Sequence, residues 1–171
     1  PEGSEIITPA LTFSTTVGYI VKNKLVPVFV DVEEGTYCIN ENKIKNLITK
    51  KTKAIVAPHL MGNIVNWKKI APILKKKGIL IIEDSADTIT RTECTHISTT
   101  SFYASHVITA GGVGGMVMFN NVEQYKRALM FRDWGRIGDN IEEPSERFNH
   151  SVDGIPYDWK FLYGVAGYHL K

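Results

Sequence analysis

Three short apolar runs, VPVFVDV (26–32), AIVAPHL (54–60) and ILIIEDSAD (79–87), most constrain how this 171-residue chain can fold. Each is nearly continuous rather than alternating, which is the pattern of a strand covered on both faces. Helical patterns separate them. Asn40 is placed to cap a helix whose apolar stripe is Ile44, Leu47 and Ile48, and Asn66 to cap another from Trp67 to Lys77, with Pro72 inside it and Gly78 at its end. Glu5 to Thr8, SFY (101–103) and GMVMFN (115–120) also read as strands. Thr15 to Val21 reads as a helix, and so does Val122 to about Asp133, capped by Asn121 and stopped near Gly135. Strand and helix in regular succession predict an α/β fold, a mostly parallel sheet flanked by helices on both faces.

Composition removes several function classes. A net charge of +2 arises from mixed signs, with no basic stripe interleaved with aromatics, which argues against a nucleic-acid partner. No apolar run is long enough to predict a membrane span. Two cysteines far apart, Cys38 and Cys94, suit a reduced, cytoplasmic protein better than a disulfide scaffold. Length alone suits one domain. From 136 to 160 the periodicity fails, which predicts an irregular excursion. The chain begins almost inside a strand and stops without a terminating signal, so it reads as a piece of a larger protein.

Candidate chemistry gathers at two places. Glu83, Asp84 and Asp87 stand where an apolar strand delivers carboxylates to its end, the ligand side of an open parallel sheet. If the chain turns after the strand, Asp84 and Asp87 face one pocket; the plainer alternative is that they cap the next segment. No HExxH or CxxC spacing accompanies them, so no metal is expected. The stretch SFYASHVITAGGVGG (101–115) places His106 before a glycine loop that is neither a dinucleotide fingerprint nor a P-loop. On pattern alone His106 is either structural or catalytic, and His59, at another strand end, shares the ambiguity.

Taken in order, PALTFSTT (9–16), VPVFVDVEEGTYCIN (26–40), TKAIVAPHLMGN (52–63), IIEDSAD (81–87), SFYASH (101–106), the glycine loop and RDWGR (132–136) resemble the sugar aminotransferase and dehydratase family of fold-type I pyridoxal phosphate enzymes. The resemblance covers essentially the whole chain and implies the large, cofactor-binding domain of such an enzyme. It implies that Asp84 pairs with the pyridine nitrogen, Phe13 stacks on the ring and Ser101 binds the phosphate. Asp87 stands where aminotransferases carry Gln and dehydratase relatives often carry Asp. His106 replaces the lysine that binds the cofactor covalently, and an imidazole cannot form a Schiff base, although it moves protons near neutral pH.

That replacement is similar to the nucleotide-sugar 3-dehydratases, which hold pyridoxamine phosphate non-covalently. It implies C3 deoxygenation of a nucleotide-linked 4-keto-6-deoxyhexose, with His106 as the proton-transfer base. The alternatives are an aminotransferase relative with otherwise altered chemistry, and a non-catalytic scaffold with a structural histidine. One dehydratase branch carries an iron–sulfur cluster on cysteines soon after RDWGR; Ile137-Gly138-Asp139 follows here, so no cluster or reductase partner is expected. The resemblance also implies a homodimer. It further implies an upstream phosphate-binding turn and a C-terminal small domain outside this sequence, a shortened 88–100 segment and one extra residue in the glycine loop.

Overall fold

The computed structural model of the protein describes residues 1–137 and 143–168. Contacts group the chain into two compact units, Pro1–Asn120 and Asn121–Lys171. The first is built on a six-stranded sheet. Its strands are β1 (Glu5–Pro9), β2 (Val26–Val30), β3 (Thr52–Pro58), β4 (Leu80–Asp84), β5 (Ile97–Ser101) and β6 (Gly115–Phe119), in the order β2-β1-β3-β4-β5-β6. The pairs from β2 across to β5 are parallel and β6 is antiparallel to β5. The expected mostly parallel sheet is therefore present.

Strand periodicity sorts the core. Ile7, Ile55, Ala57 and Ile81 point to one face, where they meet Trp67, Ile70, Ala71 and Leu74 of helix α3 (Trp67–Lys76) and Ile44 of the short helix α2 (Glu41–Ile44). Ile6, Ala54, Val56 and Ile82 point the other way, onto Ile20 of helix α1 (Ser14–Lys22). Helices thus cover both faces, because residues one apart on a strand face opposite sides. Truncating the fully buried Leu74 would cost about 2–5 kcal/mol.

Caps follow the sequence in part. The Asn40 side chain accepts the Asn42 N–H, whereas Asn66 sits at the start of α3 without a side-chain cap bond. Gly78 ends α3 at φ 67°, a conformation that costs a residue with a Cβ.

Three expectations need correction. The helix after Asn40 stops at Ile44, passes through a 3₁₀ turn (Lys45–Leu47) and is extended at Ile48. Asn42 and Asn46 are weak helix formers, and β-branched Ile48 and Thr49 favour extended backbone. The strand read at 101–103 lies earlier, at Ile97–Ser101, and Tyr103 N–H bonds Ser101 Oγ as the chain leaves the sheet. Ile97–Ser101 contains one apolar residue, so it carries no hydrophobic pattern; buried Ser98 and Thr100 instead bond to neighbouring segments.

The third correction lies in the second unit, which contains helix α4 (Val122–Arg132) with Asn121 Oδ1 accepting the Gln124 N–H. The stretch read as irregular holds a 3₁₀ turn (Pro144–Glu146) and a hairpin, β7 (His150–Val152) with β8 (Ile155–Tyr157). Asp153 and Gly154 take positive φ of 53° and 79° at its turn, the Asp-Gly geometry that suits a tight hairpin. Gly138 and Asp139 of the expected cluster-free segment lie outside the described residues, as does the tail from His169. Among the described residues, no helix is long and apolar enough to cross a membrane.

Candidate active site

The carboxyl ends of β3 and β4 lie level, with Pro58 opposite Asp84, and β5 runs two residues past Thr99, the partner of Asp84. Beyond that edge opens a cleft of about 1000 Å³. Phe13, Asp84, Asp87, Ser101 and His106 all line it. Five positions spread over 94 residues of sequence thus share one cavity at the edge where open α/β sheets bind ligands.

Asp84 is the best-fixed group. Its Oδ2 accepts the Thr16 hydroxyl at 3.1 Å and its Oδ1 the Ala86 N–H at 3.1 Å, so two donors from different elements pin the carboxylate plane. Asp87 Oδ2 accepts the Met61 N–H at 2.9 Å, which ties it to the turn after β3. Met61 takes φ 56° and ψ 25°, the left-handed region that an unbranched side chain adopts only with some strain. Ser101 Oγ accepts the Tyr103 N–H at 3.2 Å, and its own proton remains available to donate.

Phe13 occupies the N-cap of α1 with extended backbone and 70% exposure. It offers no capping oxygen where Ser, Thr, Asp or Asn would stabilise the helix by about 1 kcal/mol. An aromatic ring has instead been set at the cleft wall. His106 is partly buried, meets Tyr103 edge-on at 6.1 Å, and has a buried Nδ1 without a hydrogen-bond partner.

Pattern reading missed Thr16 and Tyr19, which stand three apart on α1 and also line the cleft. The Tyr19 phenol is pushed up to about 12, first by burial and then by the nearby Asp84 charge, so it stays a neutral donor at physiological pH. The available signal was their position, since a helix that follows a parallel strand starts at the ligand edge.

His59 and Glu83 are not in the cleft. Both are fully buried on the opposite face of β4, with His59 Nε2 3.2 Å from Glu83 Oε2. Burial alone would raise the Glu83 carboxyl, but bonds from His59, Thr92 and Ser98 together hold it below the ordinary glutamate value. Among the described residues, no group of three or more His, Cys, Asp or Glu is placed to hold a metal ion.

Residues 1–162 match the model of the DegT/DnrJ/EryC1/StrS aminotransferase family. The chain is 38% identical to dTDP-4-dehydro-2,6-dideoxy-D-glucose 3-dehydratase of Saccharopolyspora spinosa, over 99% of the chain and 39% of that protein. It is 35% identical to GDP-perosamine synthase of Escherichia coli O157:H7, over 78% of the chain and 38% of that protein. The structure of E. coli GDP-4-keto-6-deoxy-D-mannose-3-dehydratase with bound hydrated PLP superposes with a TM-score of 0.81 at 27% identity, covering 98% of this chain and 44% of that one. The chain therefore spans less than half the length of these relatives, which include dehydratases and aminotransferases.

Proposed function

The chain belongs to the DegT/DnrJ/EryC1/StrS aminotransferase family, and from that premise we infer that it is the cofactor-binding part of a pyridoxamine phosphate-dependent 3-dehydratase acting on a nucleotide-linked 4-keto-6-deoxyhexose. One observation carries this reading beyond the family. His106 lines the cleft, and none of the described residues lining it is a lysine. A cleft wall with an imidazole and no amine suits a non-covalently held cofactor and proton transfer, and does not suit Schiff-base chemistry.

The residues present fit the group. Asp84 is a pinned carboxylate for the pyridine nitrogen, the exposed Phe13 ring offers a stacking face, the Ser101 hydroxyl a donor for the phosphate, and Asp87 a second carboxylate at the rim. When bound, pyridoxamine phosphate supplies an amine for a sugar ketone and a ring that stores electrons. Asp84 keeps a proton on the ring nitrogen, and two donors from its own chain prevent it from turning away. His106 takes and returns the proton through its imidazole, which lines the cleft. Tyr19 remains protonated beside Asp84, so it adds no second negative charge there.

The reading includes a homodimer in a reduced, cytoplasmic setting, with Cys38 and Cys94 both free. It includes no iron–sulfur cluster, because no cysteine follows RDWGR in this sequence.

Two assays on the full-length protein test the proposal. Pyridoxamine phosphate with a 4-keto-6-deoxy nucleotide sugar is expected to give loss of the C3 hydroxyl, and pyridoxal phosphate with borohydride is expected to leave no covalent label. A reducible lysine adduct with efficient amino transfer would overturn the dehydratase reading in favour of an aminotransferase.

A further inference from the structure

His59 lies outside the cleft, yet three of its polar groups bond, and the fourth lies against Glu83, among the segments that frame the cleft's two carboxylates. Its backbone N–H donates to the Asp84 carbonyl at 2.9 Å, and its carbonyl accepts the Gly62 N–H at 3.1 Å. Nδ1 accepts the Val65 N–H at 3.0 Å, and Nε2 faces Glu83 Oε2 at 3.2 Å. These contacts close the turn of residues 59–65 against the end of β4. Met61, at the exposed tip of that turn, donates the N–H that holds Asp87.

The geometry also fixes the chemical form of the ring. A nitrogen that accepts an N–H must present a lone pair, so Nδ1 carries no proton. The ring's one proton then sits on Nε2, directed at the Glu83 carboxylate, which also accepts the Thr92 N–H at 2.9 Å and the Ser98 hydroxyl at 2.8 Å. Neither the Nδ1–H tautomer nor a doubly protonated ring can keep the Val65 bond. Either form would set an N–H against the Val65 N–H, leaving buried donors unpaired or expelling the turn.

We propose that His59, as the Nε2–H tautomer, is a positioning residue that fixes the 59–65 turn between Val65 and Glu83 and through it holds Asp87 and the end of β4 in register for ligand binding. The role of Asp84 and Asp87 as cofactor contacts rests on the reading above, whereas the tautomer and the clamped turn do not. His59→Phe keeps the ring volume and removes the Val65 bond and the Glu83 contact. His59→Asn keeps an acceptor near the Nδ1 position and so restores the Val65 bond alone.

Three measurements on the full-length protein test the proposal. Long-range ¹⁵N NMR without cofactor is expected to show the Nε2–H form for the signal that His59→Asn removes; the Nδ1–H or doubly protonated form would overturn the inference even if both variants misfold. In His59→Phe the amide exchange of Met61 and Val65 is expected to accelerate by about tenfold or more, and His59→Asn should recover much of that at Val65. Unchanged exchange would remove the clamp. Pyridoxal phosphate affinity is expected to fall by about tenfold in His59→Phe and less in His59→Asn. Faster exchange with unaltered affinity would reduce His59 to a structural residue and overturn its positioning role. Absence of cofactor binding in the wild type, beside the expected tautomer and exchange, would sink the proposed function and leave the clamp standing.

Discussion

Glu83 and Asp84 are neighbours on β4 and carry the same functional group, yet they meet different surroundings on opposite faces of the sheet. Glu83 is fully buried among His59, Thr92 and Ser98, each of which directs a donor at it. Asp84 is only partly buried; it takes one donor from α1 and one from its own turn, and its remaining acceptor capacity faces the cleft. One carboxylate is satisfied by the protein, and the other is held in place but left incomplete. A strand end between a core and a cavity can therefore place structural and ligand-facing acids one residue apart, because the pleat alternates their directions.

Breaking the cleft side is expected to act on chemistry. His106→Asn should lower dehydration by about 10²–10⁴-fold while leaving cofactor binding largely intact, as judged by turnover beside an absorbance titration. Turnover equal to wild type would remove His106 from the mechanism. Breaking the buried side should act on stability instead. Glu83→Leu leaves the Thr92 N–H and the His59 Nε2 proton without an acceptor, while Ser98 keeps the Thr90 carbonyl, and should cost about 3 kcal/mol in a urea titration; a loss under about 1 kcal/mol would show that the pocket repacks or admits water.

A smaller effect is expected where the cleft side meets α1. Thr16→Val removes the donor to Asp84 Oδ2, worth about 1.5 kcal/mol for a bond to a charged acceptor, or roughly tenfold in pyridoxal phosphate affinity. Thr16→Ser should restore it, and a valine variant that binds as well as wild type would show that Ala86 alone suffices. The gentlest test is acid. Because the Glu83 carboxyl is held below its ordinary value in the folded state, its contribution is fully present at neutral pH and fades as pH falls through and below 4.5. Glu83→Gln should flatten that part of the stability profile, and an unchanged slope would assign acid sensitivity to other carboxyls.

How much of this was legible in the sequence depends on the type of signal. The runs at 26–32, 54–60 and 79–87 gave strands because continuous apolar stretches of that length have few other soluble solutions. The cap signals at Asn40 and Asn121 reappear as side-chain bonds, since capping is a local interaction. The strand Ile97–Ser101 was hidden because its hydroxyls are buried by partners distant in sequence, such as Glu83 and the Ser85 carbonyl. The hairpin of the second unit is signalled in the sequence by Asp153-Gly154 alone, since no apolar alternation flanks that turn.

For the site, the family resemblance carried by the ordered motifs implied Phe13, Asp84, Asp87, Ser101 and His106 as a set, together with the cofactor that such a set serves. Pattern alone did not separate His106 from His59, since both follow apolar or strand-like runs. The tertiary structure sets them apart: the His106 ring lines the cleft, whereas the His59 ring is buried on the other side of β4, with Nδ1 bonded to Val65 and Nε2 3.2 Å from Glu83. The physical reason is that residue type and order record which chemistry a chain carries, whereas burial and hydrogen-bond partners across the sheet determine which copy of a group is left free to use it.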